Sequence, residues 1–147
     1  IRPLPEMLPG LQLTYFGVSG KGNTAAEPDW TNNTGFITYQ QKYVTGSAEY
    51  YSGKGNNSGS DENKKSGYSF FGKVVVPMYE KVALFGRYDL LDPNTDSSNN
   101  NIETTIAGAS YRIYSDNYLV AAYEKTHNEA NANPDDTKGQ IVLQILF

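Results

Sequence analysis

The chain contains no cysteine, which excludes a disulfide framework, thiol catalysis and thiolate metal sites together. It has one histidine, His127, and no serine or cysteine placed to complete a nucleophilic triad with it. Positive charge is also short. Twelve Lys and Arg stand against sixteen Asp and Glu, a net charge of −4, so there is no cationic excess to neutralise a phosphate backbone and no nucleic-acid partner is expected. No apolar run approaches the roughly 20 residues a membrane helix requires. A sequence of this kind crosses a bilayer only as a closed barrel, because hydrocarbon leaves an open strand edge unsatisfied. The chain opens on Ile1 without a methionine or a signal peptide, the expectation being a processed form or a piece of something longer. Its 147 residues suit one ordinary domain or part of a larger barrel.

What is present points to strands. Twelve Tyr, six Phe and fourteen Gly, with many Asn between the aromatic runs, fit strands separated by turns. The mean hydropathy is negative, as expected of strands that are polar at every second residue and joined by polar loops. Eight strands are expected near 11–20, 35–43, 46–54, 67–76, 81–91, 101–113, 117–127 and 139–147, each close to the roughly 9–11 residues of a tilted membrane strand. The connections alternate in length. Long polar segments, GKGNTAAEPDWTNNT, GNNSGSDENKKS, DPNTDSSNN and NEANANPDDTK, follow the first, third, fifth and seventh strands. Short ones, VTG at 44–46, PMYE at 77–80 and YSDN at 114–117, lie between them. Such alternation puts the long loops at one end and the tight turns at the other. The fold class expected is therefore all-β, an antiparallel up-and-down transmembrane barrel to which this chain supplies about eight strands, with residues 1–10 as a periplasmic-side lead-in.

Dyad alternation supports this reading. Ile141, Leu143, Ile145 and Phe147 share a face opposite Gln140 and Gln144. Val82, Leu84, Gly86, Tyr88 and Leu90 oppose Ala83, Phe85, Arg87 and Asp89. Tyr68, Phe70, Val74 and Val76 oppose Ser69, Phe71 and Lys73, and Leu119, Ala121 and Tyr123 oppose Ala122, Glu124 and Thr126. One lipid face and one wet face follow. The pattern is weaker in the second and third strands, where Gln40, Gln41 and Lys42 run together and Tyr50 adjoins Tyr51.

The stretches KVALFGRYDLLDPNTD, TTIAGASYRIYSDNYLVAAYEK and GQIVLQILF resemble the C-terminal region of bacterial porins similar to the phosphate-selective porin O and P family. The matching positions are Gly86, Arg87, Tyr88, Asp89, Asp92, Pro93 and Asn94, with Phe147 closing the last strand. The resemblance is strong over 81–147 and rests on strand and loop rhythm over 10–76. It implies that the chain is the C-terminal part of a barrel of roughly 16 strands or more, in the outer membrane of a Gram-negative bacterium. The terminal Phe147, with Ile141, Leu143 and Ile145 before it, also resembles the signal read by the outer-membrane barrel assembly machinery. Expected partners are outer-membrane lipid and lipopolysaccharide, that machinery, small solutes or ions, and further copies in a homo-oligomer.

The expected function is a porin, a passive channel for ion transport and small polar solutes, with no enzymatic activity, no cofactor and no metal. Lys42, Glu49, Lys73, Arg87, Asp89, Arg112 and Glu124 can fall on the wet face and line the pore; the plainer alternative is that they pair across neighbouring strands. Four are basic and three acidic, which leaves ion preference open. A sheath or anchor housing a partner such as an electron-carrying cytochrome needs the same polar interior, and a third reading is a small complete eight-stranded barrel, structural or enzymatic, largely filled by its own side chains. Asp92, Asn94 and Asp96 have the alternate spacing of calcium-loop oxygens without the glycine and distant glutamate of a full loop. Asp61–Glu62 and the run from Asn133 through Pro134 to Asp136 read as ordinary loop polarity that can touch divalent ions. The glycine-rich text at 53–59 lacks the Gly-Lys-Ser/Thr of a phosphate loop. Tyr15, Tyr43, Tyr79, Tyr114 and Tyr118 lie near strand ends, as interface girdles require, and Trp30 falls in a long loop.

Overall fold

A computed structural model describes residues 1–56, 58–133 and 135–146. Eight strands follow one another: β1 Leu11–Lys21, β2 Asp29–Gln40, β3 Val44–Lys54, β4 Lys64–Val75, β5 Val82–Asp92, β6 Ile102–Tyr114, β7 Asn117–Asn128 and β8 Asp135–Gln144. Each pairs antiparallel with the next, giving one eight-stranded sheet in the order β1 to β8. Strands β1 and β8 are the two ends of that order and are not paired with each other, so the sheet is open. No helix of the described residues is long and apolar enough to cross a membrane.

The register sorts the side chains onto two faces. Opposite partners share a face, and the pairs Leu13↔Ile37, Ile37↔Ala48, Ala48↔Phe70, Phe70↔Tyr88 and Val74↔Leu84 run one apolar face from β1 to β5. Leu84↔Ala109, Ala109↔Ala121 and Ala121↔Ile141 carry it on to β8. The other face holds Glu49, Ser69 and Asp89 in one row, and Phe71, Arg87, Ile106, Glu124 and Lys138 in the next.

The apolar face is the open one. Tyr50, Phe70, Leu84, Tyr123, Ile141 and Leu143 are all exposed, whereas inward partners such as Phe71, Phe85, Val120 and Glu124 are half-buried. Among the described residues the only buried hydrophobic one is Ala83. The accessible surface is 10024 Å², about a third more than the roughly 7,500 Å² of a compact monomer of this mass. The described residues therefore have no apolar core, and the usual distribution of a water-soluble sheet is reversed.

Glycines report the same asymmetry. A methyl added at Gly35, Gly72 or Gly139, on the apolar face, meets nothing within 4 Å. One added at Gly67 or Gly108, on the polar face, collides with Tyr51 and the Leu90 carbonyl, or with Phe85 and the Ala121 carbonyl. Cβ vectors converge on the inner side of a curved sheet, so the polar face is its crowded, concave side. Gly108→Ala should accordingly lower the denaturant midpoint by an amount typical of overpacking, about 1–3 kcal/mol. Gly72→Ala should leave it nearly unchanged. Equal effects in equilibrium unfolding would contradict the assignment of faces.

Three sequence expectations need correction. Strand β2 starts at Asp29 rather than near 35, and β8 at Asp135 rather than near 139. Polar residues that read as loop are held in the ladder by partners such as Gly20↔Trp30, Asn33↔Ser52 and Lys125↔Thr137. The connections 22–28, 55–63, 93–101 and 129–134 still share one end and 41–43, 76–81 and 115–116 the other, but 129–134 is no longer than 76–81. Trp30 is thus a strand residue. Residues 1–10 form no strand, although Ile1 exchanges two backbone hydrogen bonds of 2.8 Å with Leu13 on the edge of β1. Pro134 and the terminal Phe147 lie outside the described residues.

Candidate functional site

Of the expected pore-lining residues, Glu49, Lys73, Arg87, Asp89, Arg112 and Glu124 all fall on the polar face. Lys42 does not belong to a strand. It sits in the turn 41–43 after β2 ends at Gln40, which explains why Gln40, Gln41 and Lys42 break the alternation. Its ammonium lies 3.0 Å from Glu80 of the turn 76–81 and 4.6 Å from the Tyr43 ring centroid.

The charges are not evenly spread along the strands. Glu49 and Asp89 occupy one row through Ser69, nearer the long connections. Arg87 turns back on its own strand, Nε donating to Asp89 Oδ1 at 2.8 Å, and so offers less net charge than its position suggests. Toward the short turns a cavity of about 260 Å³ is lined by Lys42, Lys73, Lys81 and Arg112 against the single carboxylate of Glu80. Lys73, Lys81 and Arg112 enter no salt bridge among the described residues. Ser110 and Tyr118 add hydroxyls to the same wall. This end is strongly electropositive within a chain that is acidic overall, and such a concentration raises local anion occupancy.

Glu80 is held below the ordinary carboxylate range, first by the Tyr43 hydroxyl donating to it at 2.7 Å, then by Lys42, with the Arg112 charge adding. A depressed carboxylate keeps its contacts above its unperturbed value of 4.5 and loses them as pH falls through the lower folded value. Below that point four cations face no carboxylate in the cavity. Anion affinity of this cavity should therefore rise as the solution is acidified through the lowered Glu80 value, and anion titrations from pH 7 downward would show it. A flat profile in the wild type, matching Glu80→Gln, would remove Glu80 from the electrostatics.

The remaining motifs resolve into local structure. Asp92 Oδ1 accepts from the Asn94 amide at 3.0 Å, and Asn94 Oδ1 accepts from the Asp96 amide at 3.2 Å. These calcium-spaced oxygens thus cap their own turn. No group of three potential metal ligands occurs among the described residues. His127 Nδ1 lies 2.7 Å from Asp135, which Lys125 also approaches at 3.0 Å. Tyr15, Tyr79 and Tyr114 are exposed, but Tyr118 faces the polar side and lines the basic cavity.

No family model, curated protein or solved structure matches the chain.

Sequence reasoning missed Glu80, because parity says nothing about turn residues, and also Lys81, although the expected strand 81–91 puts it on the wet face two places before Ala83. Lys138 could have been found. It lies two places before Gln140 and faces Glu124 across β7 and β8, just outside the strand expected near 139–147. Trp30 and Tyr51 also reach the polar face and frame a cavity near the long connections, a pairing that only the cross-strand register reveals.

Proposed function

We propose that this chain forms wall strands of an outer-membrane β-barrel that passes small polar or ionic solutes. The single observation that carries the reading is the reversed polarity of the sheet: an apolar face left exposed across eight strands, backed by a crowded face bearing Glu49, Lys73, Arg87, Asp89, Arg112 and Glu124. In water that arrangement leaves large apolar side chains unburied at roughly 25 cal/mol per Å². Against hydrocarbon the same face is satisfied and the charges turn to an aqueous interior.

The dimensions agree. Val82 to Leu90 covers about 27 Å along β5, or about 21 Å after the ~40° tilt of a barrel strand, near the roughly 25 Å apolar band of such proteins. Tyr15, Gly35, Tyr50 and Tyr68 share one register row on the apolar face, a place suited to an aromatic girdle. An open sheet end in hydrocarbon is costly, so strands beyond β1 and β8 close the wall. Kinship with the phosphate-selective porins belongs to the same proposal, as does recognition of the chain end by the assembly machinery. Ile141 and Leu143 occupy the exposed face of β8 there.

Planar-bilayer recording of the complete purified protein tests the reading. Stepwise ohmic conductance is expected. A silent protein that nonetheless inserts would shift the assignment to an occupied barrel, such as a sheath around a partner.

A further inference from the structure

We infer that the Trp30–Tyr51 cavity on the polar face binds the apolar face of a pyranose sugar, which names a class of solute for the proposed channel and rests on that face meeting water. The cavity measures about 380 Å³ and is lined by Trp30, Asn32, Tyr51, Asn56 and Lys65 among others, within the size range of small-molecule sites.

Two aromatic rings are fixed there by glycines. A methyl at Gly20 would stand 2.9, 3.1 and 3.2 Å from Nε1, Cε2 and Cζ2 of Trp30, so the indole lies over the bare backbone of β1. Its Nε1 donates to the Lys21 carbonyl at 3.2 Å, which fixes the ring's rotation. Gly55, at φ 68, closes in on Trp30 Cβ at 3.2 Å from the position a methyl would take. Tyr51 covers Gly67 in the same way. Rings held before a ligand arrives lose little freedom on binding.

A pyranose ring carries axial C–H groups on one face and hydroxyls around its rim. A flat ring beside amide and hydroxyl groups matches both features: the C–H face sheds water against the aromatic surface, and the rim finds hydrogen-bonding partners. Asn32 and the Tyr51 hydroxyl make no side-chain hydrogen bond among the described residues, so both remain able to bond a ligand. Asn56 is already committed to Ser58 and Ser60, and Lys65 stands 3.5 Å from Asp61. The cavity's charge is thus balanced, unlike the basic cavity at the other end, and a neutral polar ligand fits it better than an anion. Phe71 and Phe85 continue the aromatic lining toward the short turns, in a cavity of about 430 Å³ with Ser110, Tyr118 and Gln144.

Trp30 is the sole tryptophan and reports on its own site. Titrating the folded full chain in detergent with maltotriose should give a saturable change in its fluorescence. Tyr51→Ala should raise the half-saturating concentration about tenfold, the loss of one ring contact. Asn32→Ala, a polar truncation outside the packed rings, should raise it severalfold with an unchanged circular-dichroism spectrum. A linear response equal to that of glycerol, or saturation untouched by both substitutions, would overturn the inference. Conductance without a saturable tryptophan response sinks the sugar site alone. A saturable response in a protein that never conducts leaves the site standing and removes the channel.

Discussion

Leu143→Arg is expected to abolish membrane assembly, while Gln144→Arg, one residue on, is expected to leave it intact. Leu143 sits on the exposed apolar face of β8, beside Leu119 in register, and Gln144 on the polar face beside Tyr118. A charged side chain turned to hydrocarbon costs up to about 2–4 kcal/mol, the figure falling from the midplane toward the interfaces, against the roughly 5–15 kcal/mol that stabilises a folded domain. The same charge turned to a wet interior costs little. Heat-modifiable migration after refolding into vesicles reads the outcome directly. In a water-soluble sheet the order would invert: arginine at 143 would relieve an exposed apolar patch and improve solubility. Normal assembly of Leu143→Arg would therefore remove the lipid-facing assignment.

Neutralising Lys73 and Arg112 together is expected to move the reversal potential toward cations at low salt and to matter little at high salt. Both line the basic cavity and lack an ion-pair partner among the described residues, so their charges act outward. A unit charge about 8 Å from a passing ion contributes about 0.5 kcal/mol in water, near twofold in local anion concentration for each cation. The effect fades as the screening length shrinks from about 10 Å at 0.1 M to about 3 Å at 1 M. Arg87→Gln should do less, because it removes one cation rather than two and Arg87 lies outside the basic cavity. A larger shift from Arg87→Gln than from the Lys73 and Arg112 pair would place the electrostatic centre elsewhere on the wall.

Much of this architecture is legible in the residue order. In β5 and β7 the structure places every residue named from the alternation on the expected face. Parity is enough wherever one side is apolar and the other polar, since a one-residue slip would exchange the faces. It fails at strand ends. Asp29, Asn32 and Asn33 have the composition of a loop and enter β2 only because β1 and β3 supply backbone partners on both sides, a tertiary effect that outweighs intrinsic preference. Tyr50 and Tyr51 read as a break in the pattern but are a regular step, one ring outward and exposed, the other inward over Gly67. The basic cavity was half visible. Lys42, Lys73 and Arg112 are named from the sequence, and Lys81 falls on the wet parity of the expected strand 81–91, whereas Glu80 arrives from a turn that the fold brings to the same end. The seat of Trp30 on Gly20 depends on register between residues ten places apart on either side of a loop, and no periodicity encodes it.

If one face of the sheet meets lipid and the other meets water, the absence of cysteine makes the difference directly measurable. Single cysteines placed at each position from 82 to 91, in the complete protein reconstituted in vesicles, can be challenged with a membrane-impermeant thiol reagent and with nitroxide-labelled lipid. The account expects a period of two: reaction with the aqueous reagent at 83, 85, 87 and 89, and quenching by lipid at 84, 86 and 88. Uniform aqueous reaction along β5, or the opposite alternation, would contradict it.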